Sequence, residues 1–409
     1  MSNRVYENQI LFFIAYTLFV LLQLVRTSFF LQYVPDSIYY LILVTCAGLL
    51  AINEIIAGKG TVRTIISLIV CGIYVALVIY IGVTFYMILT ITVLFVYEAR
   101  DISFRKLAAY SAWLCFIFLA ITIISSQVGI ITDYIRDETS RAPRHFLGFR
   151  YALYPATIIM NVTMLTIYVR KKSILWLELV VLTGINVWIF KMTGARLSFF
   201  ITLFMLVVAA FLKLKPDFFV RKTRLRKILS TAFIICAAAS LIASVRYNPS
   251  QSWQKSVNSL LSDRLALQNT AMEQYGFSVF GQDIHENGYG LNADGSENEQ
   301  LEDQEYFYID NFYILCYTKY GIVFFVVMLV FMTALAYGCA KYDKYGYLSI
   351  IMCMLAVHCV IQDTFLSLHY NSFLLIAGNL MINKLGHRTE TDFVELDDAA
   401  GRVRLYLRR

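Results

Sequence analysis

Arginine stands out wherever this chain leaves its apolar runs. The stretch DYIRDETSRAPRHFLGFR (133–150) carries Arg136, Arg141, Arg144 and Arg150. A guanidinium stays charged and offers a planar fork of N–H donors that matches phosphate oxygens two at a time. Four of them in one short loop point to a phosphate or pyrophosphate anion. The plainer alternative is a solvated loop whose arginines pair with Asp133, Asp137 and Glu138. Arg196 follows in KMTGARLSFF (191–200), where Thr193 and Gly194 permit a turn and Ser198 is placed to cap the next helix. Helix-terminal N–H groups there favour an anion, although a snorkelling arginine at the interface leaves the same signature. Arg264 completes the set in SDRLAL (262–267).

Group transfer at such an anion also needs a proton acceptor. Asp310, where YIDNFY re-enters an apolar run, and His285, in HENGYG (285–290), are the general-base candidates. The plainer reading of His285 is a surface histidine. His358 and Gln362 are four apart and share a helix face, for function or for a packing hydrogen bond. The acidic run 294–305 reads as a solvated tip, and the sequon at Asn161 lies inside an apolar run. The chain has no GxxxxGKS, GxGxxG, HExxH or CxxC pattern, so no cofactor and no metal is expected.

A membrane domain must position these side chains. Of the 409 residues 59% are hydrophobic and only 15% charged, with a mean hydropathy of +0.63. At roughly 20 residues per span, that is enough for about 12 spans. A soluble enzyme, a disordered chain and a single-anchor receptor are excluded; a transporter, a channel or a membrane enzyme is not. The apolar runs predict an all-α polytopic membrane protein with spans at 10–31, 37–57, 64–81, 83–98, 107–126, 151–169, 174–191, 197–213, 228–245, 311–340, 347–367 and 370–385. Roughly two-thirds of the 35 Lys and Arg fall in one set of loops, which places both termini in the cytoplasm. The net charge of +7 thus reports topology, not a nucleic-acid partner. The first apolar run lacks a cleavage site and reads as a retained span.

The chain divides into nine spans (1–245) with the outward loop 127–150, a long outward loop (246–310), three spans (311–386) and a cytoplasmic tail (387–409). The long loop is too short to fold alone and carries no cysteine. It is expected to pack on the membrane domain as short helices, with 256–274 as one amphipathic helix bearing Leu260, Leu261, Leu265 and Leu267.

Four of these stretches, in order, resemble Wzy-type polysaccharide polymerases, the repeat-unit polymerases of O-antigen, capsule and exopolysaccharide pathways. PRHFLGF (143–149) resembles the segment after the fifth span, and TGARLS (193–198) the small-residue–Arg–Ser motif. SDRLAL (262–267) with Phe280-Gly281 resembles the long-loop entry, and DNFYILCYTKYG (310–321) the re-entry motif. Some members separate Arg from Gly by ten residues in two outer loops. Here eleven lie between Arg136 and Gly148 and between Arg264 and Gly276.

The resemblance implies a multi-pass protein of the bacterial cytoplasmic membrane with an outward-facing active site. Its substrate would be undecaprenyl-pyrophosphate-linked oligosaccharide, with a flippase and a chain-length regulator as potential partners. The growing chain would leave its lipid pyrophosphate for the non-reducing-end hydroxyl of a new unit, without a nucleotide sugar or ATP. On that expectation Arg144, Arg196 and Arg264, with Arg136 and Arg141 near them, hold the pyrophosphate in place of a metal, and Asp310 or His285 takes the proton. An O-antigen-ligase-type transferase shares the donor and differs in acceptor. A flippase or other transporter would carry polar groups at mid-membrane, where these runs are nearly charge-free. A purely structural membrane protein would leave the arginines without a purpose.

Overall fold

The structure is a computed structural model that describes residues 2–57, 84–138, 141–288, 290–296 and 306–384, with four single positions between 65 and 72. It is mostly helical, and seven helices are long and apolar enough to cross a membrane. They include α1 (Ser2–Thr27), α2 (Asp36–Ala57), α4 (Phe104–Gln127), α6 (Trp176–Thr193) and α7 (Arg196–Leu214). A sixth is the near-continuous pair α8 (Thr223–Leu229) and α9 (Ala232–Val245). The seventh, α13 (Gly321–Tyr342), follows α10 (Ser252–Leu260), α11 (Arg264–Gln274) and α12 (Phe312–Thr318). The expected span 64–81 lies mostly outside the described residues, as does the tail; 83–98 is the shorter α3 (Thr84–Glu98).

The expected span 151–169 is α5 (Leu153–Arg170), and it is the centre of the molecule. Nearly every side chain from Pro155 to Tyr168 is buried, beneath α4, α6, α7 and α14 (Tyr347–His358). A helix covered by protein on all sides can carry polar groups if they are bonded. Thr157 donates to Gln362 Oε1 at 3.0 Å, and Asn186 Nδ2 to Thr163 Oγ1 at 3.0 Å. Asn161 donates to the His369 carbonyl at 3.3 Å and to Ser372 Oγ at 3.2 Å. The sequon asparagine is therefore a core residue, 2% exposed.

Several expected helices are interrupted. The run 311–340 breaks between α12 and α13. The runs 347–367 and 370–385 reduce to α14 and α15 (Ile376–Lys384), joined by 3-10 turns. The single helix expected over 256–274 is two, because Ser262 and Asp263 take left-handed conformations (φ 56° and 63°). Asn258 secures that break: its Nδ2 donates to Asp263 Oδ1 at 2.8 Å and its Oδ1 accepts the Ala266 N–H at 2.9 Å. Leu260 and Leu265 consequently face opposite ways, one exposed and one buried. Among its described residues the long loop carries these two short helices, followed by irregular chain from 276 to 288.

The break before α13 has a steric cause. Gly321 (φ +89°) and Gly281 (φ +105°) cross backbone to backbone, and a Cβ on Gly321 would collide with Gly281 N and come within 2.8 Å of the Val279 carbonyl. The crossing lets Gln282 N donate to Lys319 O at 2.9 Å and Ile322 N to Ser278 O at 2.9 Å. Gly321→Ala should sharply reduce the amount of monodisperse protein recovered in detergent. Gly276→Ala shares the positive φ (+59°) but meets nothing nearer than 4.0 Å, so it should bear only the backbone strain of about 1–2 kcal/mol. Equal recovery of the two variants would remove the steric argument.

Candidate functional site

A polar cavity of about 370 Å³ opens at one end of the bundle. Arg136, Arg144, Arg196, Arg264 and Asp310 all line it. The chain brings them from four segments, and each arrives for a local reason.

Arg136 and Arg144 arrive on a hairpin where the sequence predicted only a loop. Strand β1 (Ile135–Glu138) pairs antiparallel with β2 (Arg141–His145), and Arg136 sits directly opposite Arg144. Period-two alternation puts both on the same face, and like charges directly opposite destabilise a ribbon. Asp133 does not serve as their counter-ion. Its Oδ2 meets His145 Nδ1 at 2.9 Å and its Oδ1 accepts the Leu147 N–H at 2.8 Å. The side chains of Asp137, Glu138 and Arg141 lie outside the described residues, so the expected role of Arg141 falls there too.

Arg144 reaches the cavity across Gly194. That residue ends α6 in the left-handed conformation (φ +65°), and a Cβ there would lie 3.3 Å from Arg144 Nε. The guanidinium donates through Nε to the Thr193 carbonyl at 2.9 Å, so the turn holds it against the start of α7. Arg196 is the first residue of α7 and is exposed, with no hydrogen bond or ion pair to another described residue. Ser198 does not cap that helix; it is buried and faces His358 Nε2 at 3.5 Å. Gln362 lines the cavity, so the 358–362 pair ends up against the site.

Arg264 opens α11 and meets Asp310 at 2.7 Å, Nε to Oδ2, with both side chains largely buried. Burial pushes the Asp310 carboxyl above the ordinary carboxylate range, and Arg264 only partly draws it back. Burial works against the Arg264 charge, but Asp310, with Tyr151 and Tyr306 beside it, more than offsets it and holds the guanidinium protonated. Asn311 fixes the pair from behind. It caps α12 by accepting the Tyr313 and Ile314 N–H groups, and donates to Ser240 Oγ at 3.0 Å and Gln268 Oε1 at 3.2 Å.

The first residues of α5, α7 and α11 all line the same cavity. Each contributes the partial positive charge of a helix start. Four arginines and three helix starts around one hole make a strongly anion-attracting site.

Two arrangements differ from expectation. His285 is exposed and does not line the cavity; its neighbour Glu286 turns inward, pairing with Lys319 and accepting the Ile309 N–H at 3.2 Å, one residue before Asp310. Arg150 is structural, donating to the Leu291 carbonyl at 2.7 Å and the Arg26 carbonyl at 3.2 Å. Tyr151 and Tyr306 also line the cavity without having been singled out. Their only sequence signal is position, an aromatic in a polar stretch shortly before an apolar run.

Among the described residues, no group of three His, Cys, Asp or Glu side chains is placed to hold a metal ion. Compared with known proteins, the chain matches no family model, no curated protein and no solved structure.

Proposed function

We propose that the chain is a membrane glycosyltransferase that polymerises lipid-pyrophosphate-linked oligosaccharide repeats, as its resemblance to Wzy-type polymerases implies. Both termini are then cytoplasmic, about 12 segments cross the bilayer, and the cavity faces outward. The observation that carries this reading is the convergence of Arg136, Arg144, Arg196 and Arg264 on one cavity beside the buried carboxylate of Asp310. In the reaction the acceptor hydroxyl attacks the anomeric carbon of the donor, and the bond to the pyrophosphate oxygen breaks. The proton passes to Asp310, and the new charge on the leaving pyrophosphate falls among the arginines and helix starts. Asp310 is preferred to His285 as base because only Asp310 lines the cavity.

The lipid-linked glycan profile of a deletion strain, complemented by wild type or Arg264→Ala at matched amounts of membrane protein, tests the reading. Single lipid-linked units accumulating outside, unrescued by Arg264→Ala, is the expected result. Long polymer persisting would sink it. Free polymer lacking surface attachment would indicate a ligase, and units held on the cytoplasmic face a transporter.

The raised Asp310 carboxyl gives a pH signature. A base must be ionised, so activity is lost as pH falls through the folded-state value. The acid limb should bend above the ordinary aspartate value of about 3.9. Asp310→Asn should lose most of the rate and that limb together; an unchanged limb would assign the base elsewhere.

A further inference from the structure

Helix α10 buries polar side chains and exposes large apolar ones. Gln254 and Asn258 are buried, while Trp253, Val257 and Leu260 are 65%, 37% and 71% exposed. The inward polar groups are bonded, Gln254 Nε2 to the Arg246 carbonyl at 3.3 Å and Asn258 to Asp263 and Ala266. The helix is therefore anchored by two buried polar side chains and turns Trp253, Val257 and Leu260 outward, beside the exposed Ser252, Lys255, Ser256 and Ser259.

That face continues surfaces already suited to lipid. Just before α10, the last turns of α9 expose Ile242 and Val245. Further along, the turn 277–280 exposes Phe277, Val279 and Phe280, and its backbone is bonded to the start of α13. There the exposed stripe Val323, Val326 and Val327 begins. The turn 277–280 thus joins the bare face of α13 through backbone hydrogen bonds, and α10 follows the bare end of α9 after residues 246–251; both helices are able to cross a membrane. A tryptophan on a short amphipathic helix at such a boundary suits the headgroup–acyl interface.

We infer that α10 and the turn 277–280 lie in the bilayer interface at the cavity end of the bundle, and that the cavity is entered sideways from that leaflet. Leu260 and Leu261, at the end of α10, line the same cavity as Arg264. An amphiphile with an anionic headgroup would place its charge at Arg264 while its apolar chain stays in lipid beside Leu260. Asn258 couples the two, since it sits on the interfacial helix and fixes the backbone that presents Arg264. The membrane contact stands without the proposed reaction; sideways entry rests on it.

The test uses the full chain in proteoliposomes with Trp113, Trp176 and Trp188 changed to Phe, leaving Trp253 as the sole tryptophan. Lipids brominated near the headgroup should quench its fluorescence roughly two-fold or more. Lipids brominated near the chain end should quench less, and aqueous iodide hardly at all. Iodide quenching without bromolipid quenching would put α10 in water. Quenching by neither would mean that protein, a partner or a second copy, covers it. Either result overturns the contact. For entry, Leu260→Glu should lower chain extension from lipid-linked units at least roughly ten-fold at equal membrane protein, because a carboxylate at the lipid boundary is opposed. Bromolipid quenching with undiminished extension would retain the contact and overturn the entry route. Loss of the polymerase reading alone would leave the fluorescence result intact.

Discussion

Arg264→Ala is expected to abolish chain extension and also to lower the amount of folded protein, whereas Arg264→Ala with Asp310→Asn should recover the protein without the activity. The argument starts from the 2.7 Å contact between two largely buried charges. Removing one partner of such a pair leaves the other charged and desolvated, which costs roughly 3–5 kcal/mol. Removing both charges relieves most of that penalty, because an asparagine amide needs only neutral partners. Catalysis has no such compensation. A donor aimed at developing charge contributes about 10²–10³ in rate, and the double variant also lacks the proposed base. Protein recovered from membranes and single-turnover extension separate the two effects. Equal recovery of the single and double variants would mean that the contact is not a buried ion pair. Arg264→Lys should restore recovery more than rate, since a point charge can face Asp310 but lacks the second prong for a phosphate oxygen.

The composition and the apolar periodicity made the membrane character legible, and four arginines that line the cavity stood out by type alone. Their convergence did not. Arg136 and Arg144 meet the cavity because a hairpin places them opposite each other, and β pairing in so short a polar stretch leaves no hydrophobic alternation to read. Arg264 meets Asp310 across 46 residues of sequence through the Asn311 network, whose members are ordinary polar residues until they are seen packed. The split between α10 and α11 was hidden for the same reason. Ser262 and Asp263 take left-handed conformations that backbone hydrogen bonds to Ser259 and Asn258 and the Asn258 side chain secure. His285 shows the converse: a titratable residue in a long loop attracts attention, but it is exposed, and the neighbouring Glu286 is the one that the fold turns inward. Residue type selects what chemistry is possible; burial and contact decide which copy performs it.

Arg196→Ala should reduce extension by roughly 10²–10³-fold with no change in folded protein or thermal stability. Its surroundings make it the cleanest test of the proposed anion site. The side chain lines the cavity but is exposed and makes no hydrogen bond or ion pair with another described residue, so its removal strands no partner. A substitution at such a surface position ordinarily changes stability by less than about 0.5 kcal/mol. The position is nevertheless specific. Gly194 ends α6 and Ala195 leads directly into α7, so the guanidinium leaves the first turn of a helix beside that helix's own free N–H groups. Anion binding there adds the arginine charge to the helix start. Arg196→Lys keeps the charge and loses the fork, so it should recover only part of the rate and bring a higher apparent KM. Full activity in Arg196→Ala would make the residue an interface marker and leave the anion to Arg136, Arg144 and Arg264. A rate loss with unchanged KM would mean that Arg196 acts only on the charge that forms as the pyrophosphate departs.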